Sequence, residues 1–266
     1  MCPKPPCAIL GAQGGFTMEP KLRTVNKATP PFALNKYPSK FIERFGAEIA
    51  YMQATKETMA LEGNEWEQIF AICVGADWKP SNVGLDDVVL DNCCWGAKTV
   101  FASSKNLKDQ KRVRLICGRN SPVYSFGEGE ITPAADPNHV GELVLDIWNE
   151  RVSGVRQIFK FVRTVVLVKS KDFSDFLIFE TDTLRYDPEL YYFKWNTRGN
   201  LEGYTKKDDT HKFTWQPHGS QFTIIEDIPA ERLHLQVKKP EKVDKQVILD
   251  SIGYNKNWVV VLNDET

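Results

Sequence analysis

The sequence predicts an α/β protein, because segments with helical periodicity alternate with segments of strand character. Apolar residues recur at helical spacing from about Pro38 to Ala60, and a second apolar stripe follows Asp136. Short runs rich in β-branched and aromatic residues lie between and after these helical segments. We therefore expect a sheet flanked by helices, with an additional antiparallel, β-rich C-terminal part.

Composition limits the possible functions. The 266 residues carry a formal net charge of −1 with 26% charged residues, so any DNA-binding surface has to come from local clusters of basic residues. The sequence has no run of about 18 apolar residues that would predict a membrane span. Its N-terminus lacks the apolar core of a secretory signal, so we expect a cytoplasmic protein. The six cysteines form no CxxC pair, which favours buried free thiols over a zinc site or disulfides.

The distribution of residue types predicts one domain preceded by an arm. Residues 1 to about 35 are rich in Pro, Gly, Lys and Thr and predict an irregular N-terminal arm. Residues 36–266 are expected to form the domain, with a core over about 60–160 and the β-rich part over about 161–266. Further strands are predicted at Phe161–Lys169, Phe176–Thr181 and Leu190–Trp195, as three successive antiparallel strands, and at Trp258–Leu262.

The stretch from Gly84 to Phe101 predicts a β-hairpin. Val88–Leu90 is a short apolar run, Asp91-Asn92 supplies turn residues, and a second run rich in strand formers begins at Cys93. Side chains alternate between the two faces of a strand. The second strand therefore places three residues on one face, namely Cys94, Gly96 and Lys98.

This hairpin combines acidic residues with a lysine. Asp86 and Asp87 precede the first strand, and Lys98 is the one cation in an otherwise apolar second strand. Carboxylates bind Mg²⁺, which activates a bound water and offsets charge on a phosphate, and a lysine can orient the attacking water. A structural interpretation stays open, because Asp-Asp is common in turns and a strand lysine often blocks edge pairing.

Asp87 followed by the strand Trp95-Gly-Ala-Lys98 resembles the PD-(D/E)xK nuclease core in the form found in type II restriction endonucleases. The resemblance covers about residues 60 to 125. It implies a mixed central sheet flanked by helices, Mg²⁺-dependent hydrolysis of double-stranded DNA within a restriction-modification system, and a homodimer. Asp87 would be the metal-binding aspartate and Lys98 the catalytic lysine. The chain departs from the family pattern at Gly96, where an acidic residue is expected two positions before the lysine.

Another carboxylate is needed if the site is to be completed. In the resembled family a glutamate on the helix before the first core strand often faces the metal, which implies Glu67 as a catalytic and metal-binding residue beside Asp87 and Asp86. Glu62 and Glu65 compete for that role. A solvated helix face explains each of the three glutamates as well.

A second D-x-K string occurs at Asp77-Trp-Lys79. Pro80 follows it directly, and proline does not continue a central strand. We therefore expect a loop there and not the catalytic pair.

Basic and polar residues after the hairpin predict DNA contacts. A basic run next to the site can neutralise DNA phosphates, although a solvated loop explains it equally well. Arginine pairs with guanine and asparagine with adenine when they are exposed at a groove, and a plain Asn-Ser-Pro turn is the alternative. The candidate DNA-binding residues are Lys105, Lys108, Lys111, Arg119, Asn120 and Ser121.

The expected function is a cytoplasmic, sequence-specific, Mg²⁺-dependent DNA endonuclease that acts as a homodimer. A structure-selective DNA repair nuclease on the same core is one alternative. A non-catalytic DNA-binding module, in which Gly96 marks a degraded site, is another. A third is a sugar- or protein-binding domain that uses the aromatic residues near Trp195 and Trp215.

Overall fold

The computed structural model describes residues 28–79, 84–104 and 106–262, in which α-helices and two β-sheets build an α/β fold. The helices are α1 (Phe41–Thr55), α2 (Gly63–Val74), α3 (Pro122–Phe126), α4 (Pro137–Ile158) and α5 (Lys245–Ser251). The N-terminal strands are β1 (Asp77–Trp78), β2 (Val88–Leu90), β3 (Cys93–Phe101), β4 (Arg112–Arg119), β5 (Phe161–Lys169) and β6 (Asp175–Asp182). The remaining strands are β7 (Tyr191–Trp195), β8 (Leu201–Thr205), β9 (His211–Gln216), β10 (Gln221–Asp227) and β11 (Leu233–Gln236).

The first sheet is mixed, with strand order β1-β2-β3-β5-β6-β11. β3 and β5 are parallel, with Lys98 beside Val166, whereas the other neighbouring strands are antiparallel. Parallel neighbours require a long crossover, and here the chain between them contains β4, α3 and α4. The mixed sheet agrees with the expected α/β class.

The second sheet is antiparallel, with strand order β4-β10-β9-β8-β7. β4, in the second sheet, precedes residue 160 in the chain, whereas β5, β6 and β11 of the first sheet follow it. The two sheets are therefore interleaved along the chain, and the expected division near residue 160 does not separate them.

Two hydrophobic cores hold these layers together. One lies between the first sheet and helices α1 and α2, where Phe45, Trp66, Phe70 and Trp95 pack with their ring centroids about 5 to 6 Å apart. The other lies between the opposite face of the same sheet, α4 and the second sheet. The strand β3 therefore contributes to both cores, through alternate residues.

Several local expectations are confirmed. Residues 41–55 form the first predicted helix, and its apolar stripe is buried. Asp136 caps α4, since its carboxylate accepts hydrogen bonds from the amides of Asn138 and His139. The hairpin is present, and Asp91 at its turn has a φ of +53°, a left-handed conformation that aspartate tolerates.

Other expectations are wrong. β7 pairs with β8 in the second sheet, so the three predicted strands are not one antiparallel run. β8 is not among the predicted strands. It has few apolar residues, and a strand of an antiparallel sheet needs few of them when one of its faces is solvated. Asp77 and Trp78 form a short strand and not a loop. Residues 259–262 are not a strand and remain exposed.

None of the helices in the described part of the chain combines the length and the hydropathy of a membrane span. Residues 1–27 of the predicted arm lie outside the described residues. Its described end, residues 28–35, contains turns and no helix or strand.

Candidate active site

The hairpin formed by β2 and β3 places its candidate residues on one face of the sheet. Val88 pairs with Trp95 and Val89 pairs with Cys94. Asp87 directly precedes β2 and therefore lies outside the paired residues. Continued by one residue, this register would set Asp87 opposite Gly96, on the face of β3 that also carries Lys98.

Lys98 is half-buried, and its ammonium group points toward the segment before β2. Its Nζ donates a hydrogen bond to the carbonyl oxygen of Gly84 at 3.2 Å. Gly84 has a φ of +66°, in the left-handed region that favours glycine. The turn at Gly84 thus brings a backbone carbonyl to the lysine three residues before Asp87.

Gly96 lies where this segment approaches β3 most closely. A Cβ atom at position 96 would lie 2.8 Å from the Gly84 carbonyl oxygen and 3.1 Å from the Leu85 Cα. The contact with the carbonyl oxygen is closer than a Cβ atom tolerates, and the contact with the Leu85 Cα is tighter than most. The acidic residue of the family pattern cannot be accommodated at this position without moving the Gly84–Leu85 backbone.

Asp87 is only 3% exposed, whereas Asp86 is half-buried. The Asp87 carbonyl oxygen accepts a hydrogen bond from the Lys79 amide at 2.8 Å, which ties the segment to the end of β1. Burial, and then the charges of Cys93, Asp86 and Asp87, raise the pKa of the Cys94 thiol. Leu85, which directly precedes these two aspartates, packs in the same core as Cys94, so this segment lies on the Cys94 face of β3.

The structure does not bring Glu67 to this face. Its helix, α2, packs against the opposite face of β3, which carries Trp95. The Glu67 carboxylate instead accepts a hydrogen bond from the Trp78 indole at 3.0 Å. The competing Glu65 pairs with Lys56 and forms a capping box with Glu62 at the start of α2.

A magnesium ion is compatible with Asp86 and Asp87 as ligands. Among the described residues, no three His, Cys, Asp or Glu side chains come together as a complete protein metal cage. Mg²⁺ does not require such a cage, because it commonly binds one or two carboxylates and takes its other ligands from water and substrate phosphates. A buried aspartate next to a half-exposed one fits that mode of binding.

The candidate phosphate contacts are exposed where the structure describes them. Lys108 and Lys111 lie on the surface of the connection from β3 to β4. Lys105 lies outside the described residues. The neighbouring Arg112 forms an ion pair with Asp227 at 2.6 Å, so the lysines are the more available cations of this segment.

The three residues predicted to read DNA have different surroundings. Arg119, at the end of β4, is exposed. Ser121 is half-buried and caps α3, because its hydroxyl oxygen accepts a hydrogen bond from the Tyr124 amide at 3.3 Å. Asn120 is 0% exposed, and its amide is bonded within the protein. This corrects the expected base contact of Asn120, because a fully buried amide is not presented to a DNA groove.

Arg151 belongs to the region of the site but could not be selected from the sequence. Burial raises the pKa of the Cys117 thiol to about 11, while the positive charges of Lys98 and Arg151 act in the opposite direction. Arg151 lies against the end of β4, because its Nη1 donates a hydrogen bond to the Cys117 carbonyl oxygen at 2.7 Å. No local pattern marks Arg151, which the sequence shows only as one of several charged residues on a long amphipathic helix.

The chain matches no protein-family model, no curated protein sequence and no solved structure. The fold and the site together define an α/β protein with a mixed sheet. Lys98 lies on one strand of a hairpin in that sheet, and Asp87 directly precedes the other strand.

Proposed function

We propose that this protein is a Mg²⁺-dependent, sequence-specific endonuclease for double-stranded DNA, of the type II restriction class and the PD-(D/E)xK superfamily, acting in the cytoplasm. The observation that carries the proposal is the register of the hairpin. The paired strands put Asp87 directly before β2 and Lys98 within β3, and the lysine donates a hydrogen bond to the Gly84 carbonyl, three residues before the aspartate.

In this mechanism Asp87 and Asp86 would hold the ion. When bound, Mg²⁺ lowers the pKa of a water ligand and neutralises charge on the scissile phosphate. The ammonium group of Lys98 orients the attacking water and stabilises negative charge that develops on the phosphate oxygens. The carbonyl of Gly84 holds that ammonium group in place, and the buried position of Asp87 keeps bulk water from its carboxylate.

The surroundings of the hairpin provide the contacts with DNA. Lys108 and Lys111 are placed to neutralise backbone phosphates, and Lys105 is proposed for the same role from its position in the sequence. Arg119 is the residue with the exposure needed to contact a base edge or a phosphate. Cleavage of both strands needs two sites, so we propose a symmetric homodimer that cuts a palindromic sequence.

The test is incubation of the purified protein with phage DNA and Mg²⁺. We expect discrete fragments that disappear with a chelator and with Lys98→Ala. Lys239→Ala is the matched control, because this exposed lysine lies far along the chain in the C-terminal tail. Intact DNA across many substrates and divalent metals would contradict the proposal, and cutting restricted to branched or mismatched DNA would favour a repair nuclease.

Gly96 favours a second candidate, a non-catalytic DNA-binding protein, because the position expected to carry an acid has no room for a side chain. Such a protein binds duplex DNA with the salt dependence that phosphate contacts produce. It shows no metal-dependent turnover. Measuring binding and cleavage on the same DNA separates the two candidates.

A further inference from the structure

The segment from Gly118 to Ser121, called the turn below, comprises the last two residues of β4 and the connection to α3. Gly118 has a φ of +99°, which glycine adopts without the strain that other residues incur. A Cβ at this position would lie 2.8 Å from the Nη2 of Arg151. The guanidinium group of Arg151 therefore lies directly against the backbone of the turn.

All four polar groups of Asn120 are bonded to other parts of the protein. Its backbone amide donates to the Ser220 carbonyl at 2.8 Å, and its carbonyl accepts from the Trp215 indole at 2.7 Å. Its side-chain oxygen accepts from Arg151 at 3.0 Å, and its side-chain nitrogen donates to the Val144 carbonyl at 2.9 Å. Helix α4 and the second sheet thus hold the turn from both sides.

Arg151 is the charged member of this network. Its Nη1 also donates to the Cys117 carbonyl at 2.7 Å, one residue before the turn. Burial lowers the pKa of Arg151, and its guanidinium carbon lies 5.6 Å from the centroid of the Trp148 ring. A cation that is partly removed from water is stabilised here by hydrogen bonds to one short segment of backbone and to Asn120.

Arg119 lies within the turn and is exposed. Its neighbours on both sides are fixed, so its side chain projects from a backbone that loses little freedom when a ligand binds. Cys117, two residues earlier, accepts a hydrogen bond from Arg151 through its carbonyl oxygen. Its strand β4 packs against β3, the strand that carries the candidate catalytic lysine.

We infer that Arg151 and Asn120 are positioning residues that hold the turn so that Arg119 contacts DNA. This inference rests on the proposed DNA-binding function. Functional side chains are most specific when a second layer of residues fixes their backbone. Arg119 is thus the specificity residue, whereas Arg151 and Asn120 act only through it.

The experiment measures DNA affinity without metal, in a Lys98→Ala background that prevents cleavage. A duplex selected from a random pool by this protein is compared with a scrambled duplex by fluorescence anisotropy. We expect Arg119→Ala to weaken binding to the selected duplex by about tenfold or more and to reduce its preference over the scrambled duplex. Arg151→Met, which keeps an unbranched apolar side chain but removes the guanidinium donors, is expected to reduce the same preference several-fold.

Arg156→Met is the matched control. Arg156 lies on the same helix and also donates to a backbone carbonyl, that of Thr183 at 2.8 Å. It does not belong to the network of the turn, so this variant should keep both the affinity and the preference. If Arg151 only stabilised the fold, Arg151→Met and Arg156→Met would not differ in their preference for the selected duplex.

The double variant Arg119→Ala with Arg151→Met gives the sharpest outcome. If Arg151 acts through Arg119, the double variant binds no more weakly than Arg119→Ala alone. Fully additive losses, or unchanged binding by a folded Arg151→Met protein, would overturn the inference. If Arg151→Met does not fold, Arg151→Lys is used in the same cycle, with the same criteria. Failure of the Lys98→Ala protein to select any duplex counts instead against the proposed function.

Discussion

At the scale of single residues, Gly96 and Lys98 show how the hairpin combines close packing with chemistry. The backbone of Gly84 and Leu85 fills the space above Gly96, and the carbonyl of Gly84 receives the ammonium group of Lys98. A side chain at position 96 would push this segment away and would also displace the partner of the lysine. Stability and the geometry of the site are therefore coupled at this glycine.

We expect Gly96→Ala to lower the free energy of unfolding by about 1–3 kcal/mol, because the added methyl group overpacks a buried contact. If the proposed function is correct, DNA cleavage should fall as well. Gly154→Ala is the control, since nothing packs within 4 Å of the Cβ position of this exposed helical glycine. We expect this variant to have a free energy of unfolding about 0.5–1 kcal/mol higher. Urea unfolding measures both changes. Equal changes in the free energy of unfolding for the two variants would contradict the packing argument.

The described cysteines should be unreactive in the folded protein. Burial raises the pKa of Cys73 and Cys93 to about 12 and that of Cys117 to about 11. The thiolate is the reactive form, so at pH 8 a thiol with a pKa near 11 is ionised in about one molecule in a thousand. We expect no maleimide labelling of these residues in peptide maps until a denaturant unfolds the chain. Rapid labelling of any of them under native conditions would disprove this.

At the scale of secondary-structure elements, the segment before α1 lies against the back of β3. Phe32 stacks on Trp95 with ring centroids 5.6 Å apart, and the Trp95 indole donates to the carboxylate of Glu180. Glu180 is 0% exposed and lies 3.5 Å from a guanidinium nitrogen of Arg163. Burial raises the pKa of Glu180, while the Asn35 amide and Arg163 act in the opposite direction. The segment thus shields a buried ion pair directly behind the candidate catalytic strand.

Asn35→Gly tests this element. The glycine keeps the observed φ of +62° accessible but removes the side-chain amide that bonds to the backbone of Glu180. We expect the free energy of unfolding to fall by about 1–3 kcal/mol, because the buried backbone groups of Glu180 lose their hydrogen-bond partners. Thermal unfolding measures the loss, with the exposed Asn64→Gly as the comparison. A change no larger than that of the comparison variant would show that the segment does not stabilise the strand.

At the scale of the whole molecule, the proposed dimer makes a prediction about cleavage. A symmetric pair of sites should cut both strands of a palindrome in one encounter, giving linear DNA directly from a supercoiled plasmid. Sedimentation velocity should then show a dimer at the concentrations used for cleavage. A monomer that produces only nicked circles would rule out this arrangement.

The sequence predicted the local elements well where the pattern is strong. The apolar stripes of α1 and α4, the turn at Asp91 and the helix cap at Asp136 follow from interactions between residues close in the chain. The pairing of β3 with β5, the assignment of β7 to the second sheet and the burial of Asn120 depend on residues far apart in the chain. Periodicity carries no information about such partners.

The candidate site shows the same division. The sequence by itself determined the hairpin, with Asp87 directly before its first strand and Lys98 within its second, because a two-residue turn and strand alternation fix how the strands pair. Only the tertiary structure decided that α2 places Glu67 behind the sheet, that no side chain fits at Gly96, and that Arg151 supports the turn around Arg119. These features arise from packing between distant segments, where excluded volume and the need to pair buried polar groups select one arrangement.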